Sequence, residues 1–295
     1  MAQEFKGIFP ALVTPMTAEE EIDIQTLTDF VNYQIENGVH GLIPLGSTGE
    51  YYALSDAERE SVVKTTIEAA DGRVPVVPGA NAGSTRDVIR FAQQAESLGS
   101  AGVLLPAPYY SLPTDDELFE HFKAVNDAIS IPIMLYNYPG RTGVDMTPDL
   151  IDRLADLANV KYVKESTGDA TRVTEVIRRS GDRIKVFCGC DTLALESFMM
   201  GAVGWVSGVI NILPAQHVGL FRLALEENDL DAARDAYFEL LPLLALMESG
   251  KYTQQVKAGC GLMGKLVGPP RGPLKPPSSE EIAVLNETLQ RLQEG

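Results

Sequence analysis

The chain has little with which to build a covalent framework or a metal centre. Of its 295 residues only three are cysteines, Cys188, Cys190 and Cys260, an odd number that makes no disulfide framework. Three histidines, His40, His121 and His217, accompany them, so Cys188-Gly189-Cys190 is a poor basis for a metal site. Incidental cysteines of a reducing cytoplasm are the simpler reading. Positive charge is also short. The 24 Lys and Arg stand against 41 Asp and Glu, giving a net charge of −17 and a pI near 4.6. That balance argues against nucleic acid or an anionic membrane surface as a partner. It leaves room for an anionic small substrate, because one basic group can sit inside an acidic shell. No apolar run reaches the roughly 18 residues needed to cross a bilayer. Residues 1–9 lack a basic head followed by a long apolar run, so no secretory leader is expected.

What is present is an ordinary globular composition, 45% hydrophobic and 22% charged, with a mean hydropathy of −0.01. Apolar, β-favouring runs recur at 8–13, 41–45, 74–78, 101–105, 131–136, 160–164, 184–188 and 203–207. Segments of helical periodicity lie between them, at 24–37, 56–70, 85–98, 115–129, 147–157, 170–179 and 192–200. Ser55 to Glu58 and Thr114 to Glu117 fit capping boxes, and Thr147-Pro148 places proline in a first turn. Gly38, Gly72, Gly99 and Gly201 stand where helices should end. Runs that are apolar throughout predict strands buried on both faces, hence a parallel sheet. About eight such units within the first ~210 residues predict an α/β fold of the (β/α)8, or TIM, barrel type. A doubly wound sheet is the rival, but no G-x-G-x-x-G follows the first run.

After Asn211 the pattern changes. Residues 213–226, 230–248, 253–265 and 280–291 read as helices with no strand between them, and 268–277 is a proline-rich connector. The expected organisation is a barrel over 1–211 that carries the site, then a helical region over 212–295. The latter would pack on the barrel or on a neighbouring subunit.

In such a barrel the working residues gather at the C-terminal ends of strands. Val160 to Asp169 reads as a strand that ends on Lys164 and turns, through Ser-Thr-Gly-Asp, into a helix. A lysine at a strand end is ordinarily solvated. Buried instead, its pKa falls, and the neutral amine becomes a nucleophile able to form a Schiff base with a carbonyl. Other elements converge on the same face. Gly46-Ser47-Thr48-Gly49-Glu50 is a tight loop whose N–H groups and hydroxyls can hold a carboxylate, though a plain turn explains it as well. Tyr109 and Tyr110 follow the fourth run, where half-buried packing is the ordinary role of paired tyrosines. Tyr136 ends the fifth run, placed to shuttle protons, and Arg141 in the next loop could bind a carboxylate through its fork of donors. Gly189 and Val206 would flank the mouth from the seventh and eighth strands.

On these residues the chain resembles the N-acetylneuraminate lyase/dihydrodipicolinate synthase family of class I, Schiff-base-forming lyases. The matching stretches are Gly7 to Pro15, Gly46 to Glu50 with Leu54-Ser55, Tyr136-Asn-x-Pro-x-Arg-Thr-Gly143, and Lys164 to Asp169. The resemblance implies that Lys164 forms the Schiff base with pyruvate or another 2-keto acid, and that Tyr136 donates and accepts protons. It implies that Thr48 holds the keto-acid carboxylate and that the main chain at Val206 contacts bound pyruvate. Ser47 and Tyr110 would join Tyr136 to solvent in a proton relay, Tyr110 reaching in from a neighbouring subunit. Arg141 would bind the carboxylate of the aldehyde substrate, which argues against a sialic acid.

The activity so implied is condensation of pyruvate with aspartate semialdehyde to 4-hydroxy-tetrahydrodipicolinate, with no metal or organic cofactor, in a cytoplasmic homotetramer built as a pair of dimers. Departures from the pattern keep alternatives open. Ser47 stands where threonine is usual, while Tyr51, Tyr52 and Tyr138 are bulky for a biosynthetic member. Tyr52, Asp56 and Gly83 also alter the positions of a lysine feedback site, so such feedback is not expected. A catabolic aldolase or dehydratase of 2-keto-3-deoxy sugar acids fits these changes. A ligand-sensing barrel without catalysis is the alternative of another class, against which the complete Lys164, Tyr136, Ser47, Thr48 set speaks.

Overall fold

The apolar runs become parallel strands wrapped by helices. In the computed structural model, which describes residues 4–294, the strands are β1 (Gly7–Pro10), β2 (Val103–Pro106), β3 (Ile133–Asn137), β4 (Val160–Glu165), β5 (Lys185–Cys188) and β6 (Gly204–Ser207). They form one curled, all-parallel sheet in the order β1-β6-β5-β4-β3-β2. The helices that alternate with them are α1 (Ile24–Glu36), α2 (Asp56–Ala70), α3 (Thr85–Ser97), α4 (Asp115–Ala128), α5 (Pro139–Thr142), α6 (Pro148–Leu154), α7 (Thr171–Ser180) and α8 (Ala194–Met199). Both expected capping boxes close, Ser55 with Glu58 and Thr114 with Glu117. The four helix-end glycines all take positive φ, as a left-handed helix terminus requires.

Two expected strands, at 41–45 and 74–78, are irregular segments held by single parallel bridges. These run from Ala11 to Ile43, from Leu42 to Val76 and from Gly79 to Leu104. Proline is the physical reason: Pro44, Pro75 and Pro78 have no N–H to give to a ladder. The hydrogen bonds that remain still tie β1 to β2. Ile43 N–H donates to the Pro10 carbonyl at 3.0 Å, Leu42 N–H to Pro75 at 2.9 Å, and Leu104 N–H to Pro78 at 2.9 Å.

Alternation along each strand sorts the side chains into two cores. Phe9, Leu104, Met134, Tyr162 and Phe187 fill the inside of the curl. Leu105, Leu135, Val163 and Val186 face outward against Val62, Phe122 and Leu150 of the helices. Both faces are therefore dry, which is why the runs read as continuously apolar. The same period of two sends Lys164 inward after Tyr162 and sends Val163 out.

Beyond the sheet come α9 (Pro214–Leu225), α10 (Leu230–Glu248), α11 (Tyr252–Leu262) and α12 (Ser279–Glu294). The α10 helix packs on α9, on α12 and on the 3-10 turn Asp191–Leu193; α11 packs on α12 and on the 3-10 turn Val209–Asn211. The α10–α11 junction thus sits over the ends of β5 and β6.

Candidate active site

Register places the two central groups. β3 and β4 pair so that Tyr136 lies opposite Lys164, and the Lys164 nitrogen sits 4.3 Å from the centroid of the Tyr136 ring. Both side chains are buried, Lys164 with 6% of its surface exposed. Burial drives the lysine down to about 8, reinforced by the Arg141 charge and opposed by Asp191 and Tyr138. Burial pushes the Tyr136 phenol up to about 12, while Arg141 and the hydroxyls of Ser47 and Ser166 hold it lower than it would otherwise be. At neutral pH the phenol is protonated and a minor but appreciable share of Lys164 is the free amine, far more than for a solvated lysine.

The next residue points the other way. Glu165 accepts from the Thr167 N–H at 2.7 Å and from the Asn137 side chain at 3.0 Å, behind the strand. Asn137 in turn accepts from the Met146 N–H at 3.0 Å, so the ends of β3 and β4 are stitched together on their outer side.

Lys164 opens into a cavity of about 350 Å³. Ser47, Thr48, Tyr136, Arg141, Gly189 and Val206 line it with Lys164, so the structure brings these sequence-selected residues together. A second lobe of about 290 Å³ continues past Tyr136 and Arg141 to Tyr51, Tyr52 and Tyr109. Tyr110 is not in either lobe. Its side chain is 96% exposed, on a residue held at a φ of 73°. The paired tyrosines part company: Tyr109 packs inward, its ring centroid 6.4 Å from that of Tyr51.

The loop that carries Ser47 and Thr48 is bracketed by Leu45 and Glu50, both non-glycine residues at positive φ. Such conformations persist only where surroundings enforce them. Thr14 donates to the Gly49 carbonyl at 2.7 Å. Glu50 is fully buried and paired with Lys257 of α11 at 2.6 Å, and it accepts from the Arg271 N–H at 2.8 Å.

The opposite wall was not legible as chemistry. Asp191, buried, accepts from the Trp205 indole at 3.0 Å and from the Tyr252 hydroxyl at 2.5 Å. Tyr252 itself accepts from the Gly208 N–H at 3.0 Å. Burial raises the Asp191 carboxyl to about 6 against these donors. Gly208 has to be glycine here, since a Cβ would lie 2.5 Å from the Tyr252 ring and 3.0 Å from Thr48. The Cys188-Gly189-Cys190-Asp191 step after the seventh run was the available signal for Asp191. Tyr252 and Lys257 arrive from one helix, α11, remote in sequence, and gave none.

A family model described as the dihydrodipicolinate synthetase family matches residues 4–292. The chain belongs to that family. Relatives named 4-hydroxy-tetrahydrodipicolinate synthase align over nearly the whole length. One from Syntrophobacter fumaroxidans is 39% identical, covering 97% of this chain and 98% of its own. One from Methanosphaerula palustris is 37% identical, with the same shares covered. Among solved structures, a putative dihydrodipicolinate synthetase from Pseudomonas aeruginosa superposes with a TM-score of 0.95. It is 38% identical, and the match covers 98% of this chain and all (100%) of that one. The dihydrodipicolinate synthase from Aquifex aeolicus superposes with a TM-score of 0.94 at 33% identity, covering 98% of each chain. The sheet with its surrounding helices is the TIM-barrel fold of these neighbours. Among the described residues no helix is long and apolar enough to cross a membrane.

Proposed function

We propose that the protein is a class I lyase that condenses pyruvate, held as a Schiff base on Lys164, with aspartate semialdehyde to form 4-hydroxy-tetrahydrodipicolinate. The observation that carries this reading is the buried Lys164 amine, its pKa lowered by burial, lying over the Tyr136 ring at the wall of a cavity that Ser47, Thr48 and Arg141 also line. The amine adds to the keto carbon of pyruvate, whose carboxylate is held by Thr48 and the loop N–H groups, with Val206 main chain and Gly189 forming the facing wall. The keto oxygen leaves as water with the Tyr136 proton, and the iminium that results acidifies the methyl group. The Tyr136 phenolate takes that proton, and the enamine attacks the aldehyde. Arg141, reaching both lobes, binds the aldehyde's carboxylate.

The two proline-interrupted segments complete an eight-stranded barrel over residues 1–211, a closure that the bridges between β1 and β2 support, with 212–295 as a helical region packed on it. Ser47 connects Tyr136 to Tyr110 of a neighbouring subunit, which accounts for a tyrosine held almost wholly outside its own chain. The assembly is then a homotetramer made of two dimers, acting in the cytoplasm. A second reading, cleavage or dehydration of a 2-keto-3-deoxy sugar acid, is favoured by the cavity's extension toward Asp191, Glu248 and Tyr252, groups suited to substrate hydroxyls.

Borohydride reduction in the presence of pyruvate, followed by mass mapping, tests the lyase. A single pyruvyl adduct on Lys164 is expected, and an adduct elsewhere or none refutes it. Coupled assays with aspartate semialdehyde against 2-keto-3-deoxy acids then separate the two readings.

A further inference from the structure

Ser166 is a hydroxyl without an assignment. It follows β4 in extended continuation, two residues after Lys164, so the two side chains emerge on the same face and into the same cavity. Its N–H is used, donating to the Asn137 carbonyl at 2.9 Å. Its Oγ is not: with only 6% of the residue exposed, the oxygen closes no hydrogen bond of ordinary geometry among the described residues, though it lies near enough to the Tyr136 phenol to hold that group's pKa down. A buried hydroxyl without a partner is costly and calls for an occupant of its site.

The neighbours define where that occupant sits. A Cβ placed on Gly189 would lie 2.0 Å from Ser166 Oγ and 2.8 Å from Lys164 Cε, so the hydroxyl runs alongside the lysine's methylene chain. The phenol of Tyr136 lies within the reach of the same hydroxyl. Ser166 Oγ therefore borders the space between the lysine nitrogen and the phenol, where the oxygen of the keto group must leave.

We propose that Ser166 is a catalytic residue of imine formation, its hydroxyl holding the departing oxygen of the 2-keto acid while Tyr136 protonates it. This rests on the Schiff-base reading of Lys164. The Lys164 amine adds to the keto carbon, forming the C–N bond, and a proton passes from nitrogen to oxygen to give a neutral carbinolamine. The C–O bond then breaks with its electron pair on oxygen. That oxygen takes the Tyr136 proton and leaves as water, and the nitrogen lone pair forms the C=N bond. Neutral carbinolamine and phenol become iminium cation, phenolate anion and water, so atoms and charge balance. Ser166 keeps its own proton throughout and donates a hydrogen bond to the leaving oxygen. The phenolate is then set to take the methyl proton.

Quench-flow trapping with borohydride, using pyruvate alone, reads this step apart from any aldehyde. Ser166→Ala is expected to slow the appearance of the Lys164 adduct roughly tenfold, the worth of one such hydrogen bond, yet reach the native final level. Ser166→Thr, which keeps the hydroxyl, should restore the rate. An alanine variant within twofold of the native rate overturns the proposal. So does a threonine variant as slow as alanine, or a lowered final level in both, since either marks a packing role. Absence of any Lys164 adduct in the native protein would overturn the lyase reading itself, and this proposal with it.

Discussion

Glu50 and Lys257 meet as an ion pair at 2.6 Å with 0% and 1% of their side chains exposed, joining the loop of Ser47 and Thr48 to a helix two hundred residues later in the chain. Lys257 also donates to the Pro269 carbonyl at 2.8 Å, so its ammonium is multiply held. Removing one member of a buried pair leaves the other charge uncompensated. Lys257→Met should lower unfolding free energy by about 3–5 kcal/mol in urea titrations. It should also raise the KM for pyruvate, because Glu50 holds the strained end of the substrate loop. A loss below 1 kcal/mol would contradict that role.

Lys164 sets the pH dependence. Its pKa falls from 10.5 in the unfolded chain to about 8 in the folded one. At pH 7 about a tenth of Lys164 is the free amine, so the rate of pyruvate adduct formation should climb to a plateau above pH 8. Between pH 8 and 10.5 the unfolded chain binds the extra proton, so this group makes stability rise with pH across that window. Below it the folded state bears the full cost of a buried ammonium. Lys164→Met should accordingly be inactive and, at pH 7, more stable by about 0.5–2 kcal/mol, an exchange of activity for stability read by calorimetry.

Arg141 reaches both lobes of the cavity. Arg141→Ala should reduce kcat/KM for aspartate semialdehyde roughly 10- to 100-fold, the value of a charged hydrogen-bonded contact. Pyruvate adduct formation should stay near the native rate. Equal losses in both would contradict the division of labour between Arg141 and Thr48.

Tyr110 offers a test by mixing. Tyr110→Phe subunits keep Lys164 but lack the relay tyrosine, and Lys164→Met subunits do the reverse. Unfolded together and refolded, the two nearly inactive variants should regain up to about a quarter of native activity in a symmetric dimer that shares its sites. No recovery would place Tyr110 outside the relay.

The parts of the site that sequence revealed are those carried by short, contiguous stretches at strand ends. Lys164, Tyr136, Ser47 and Thr48 each stand in a local pattern, and the parallel register then brings them together. The sheet pattern was equally plain where donors were intact, and failed at 41–45 and 74–78, where prolines break the ladder without breaking the apolar run. Asp191, Tyr252 and Lys257 were opaque for another reason. Their meaning lies in contacts across 61 residues for Asp191 with Tyr252, and more than two hundred for Lys257 with Glu50. No local period encodes such distances.

Those prolines divide the rim of the sheet mechanically. Lys164 and Tyr136 stand on the part of the β3–β4 pair that is laddered without interruption from Met134 and Tyr162 onward, whose amides should exchange with deuterium only on global opening. Ser47 and Thr48 stand on the arc with single bridges, where exchange should be faster by local opening. The proposed Schiff-base chemistry thus rests on the stiff side of the sheet, while the loop proposed to hold the carboxylate rides on a compliant one, fastened from behind by Glu50. Substrate entry and product exit can then be accommodated by the yielding arc, leaving the distance between amine and phenol unchanged from one turnover to the next.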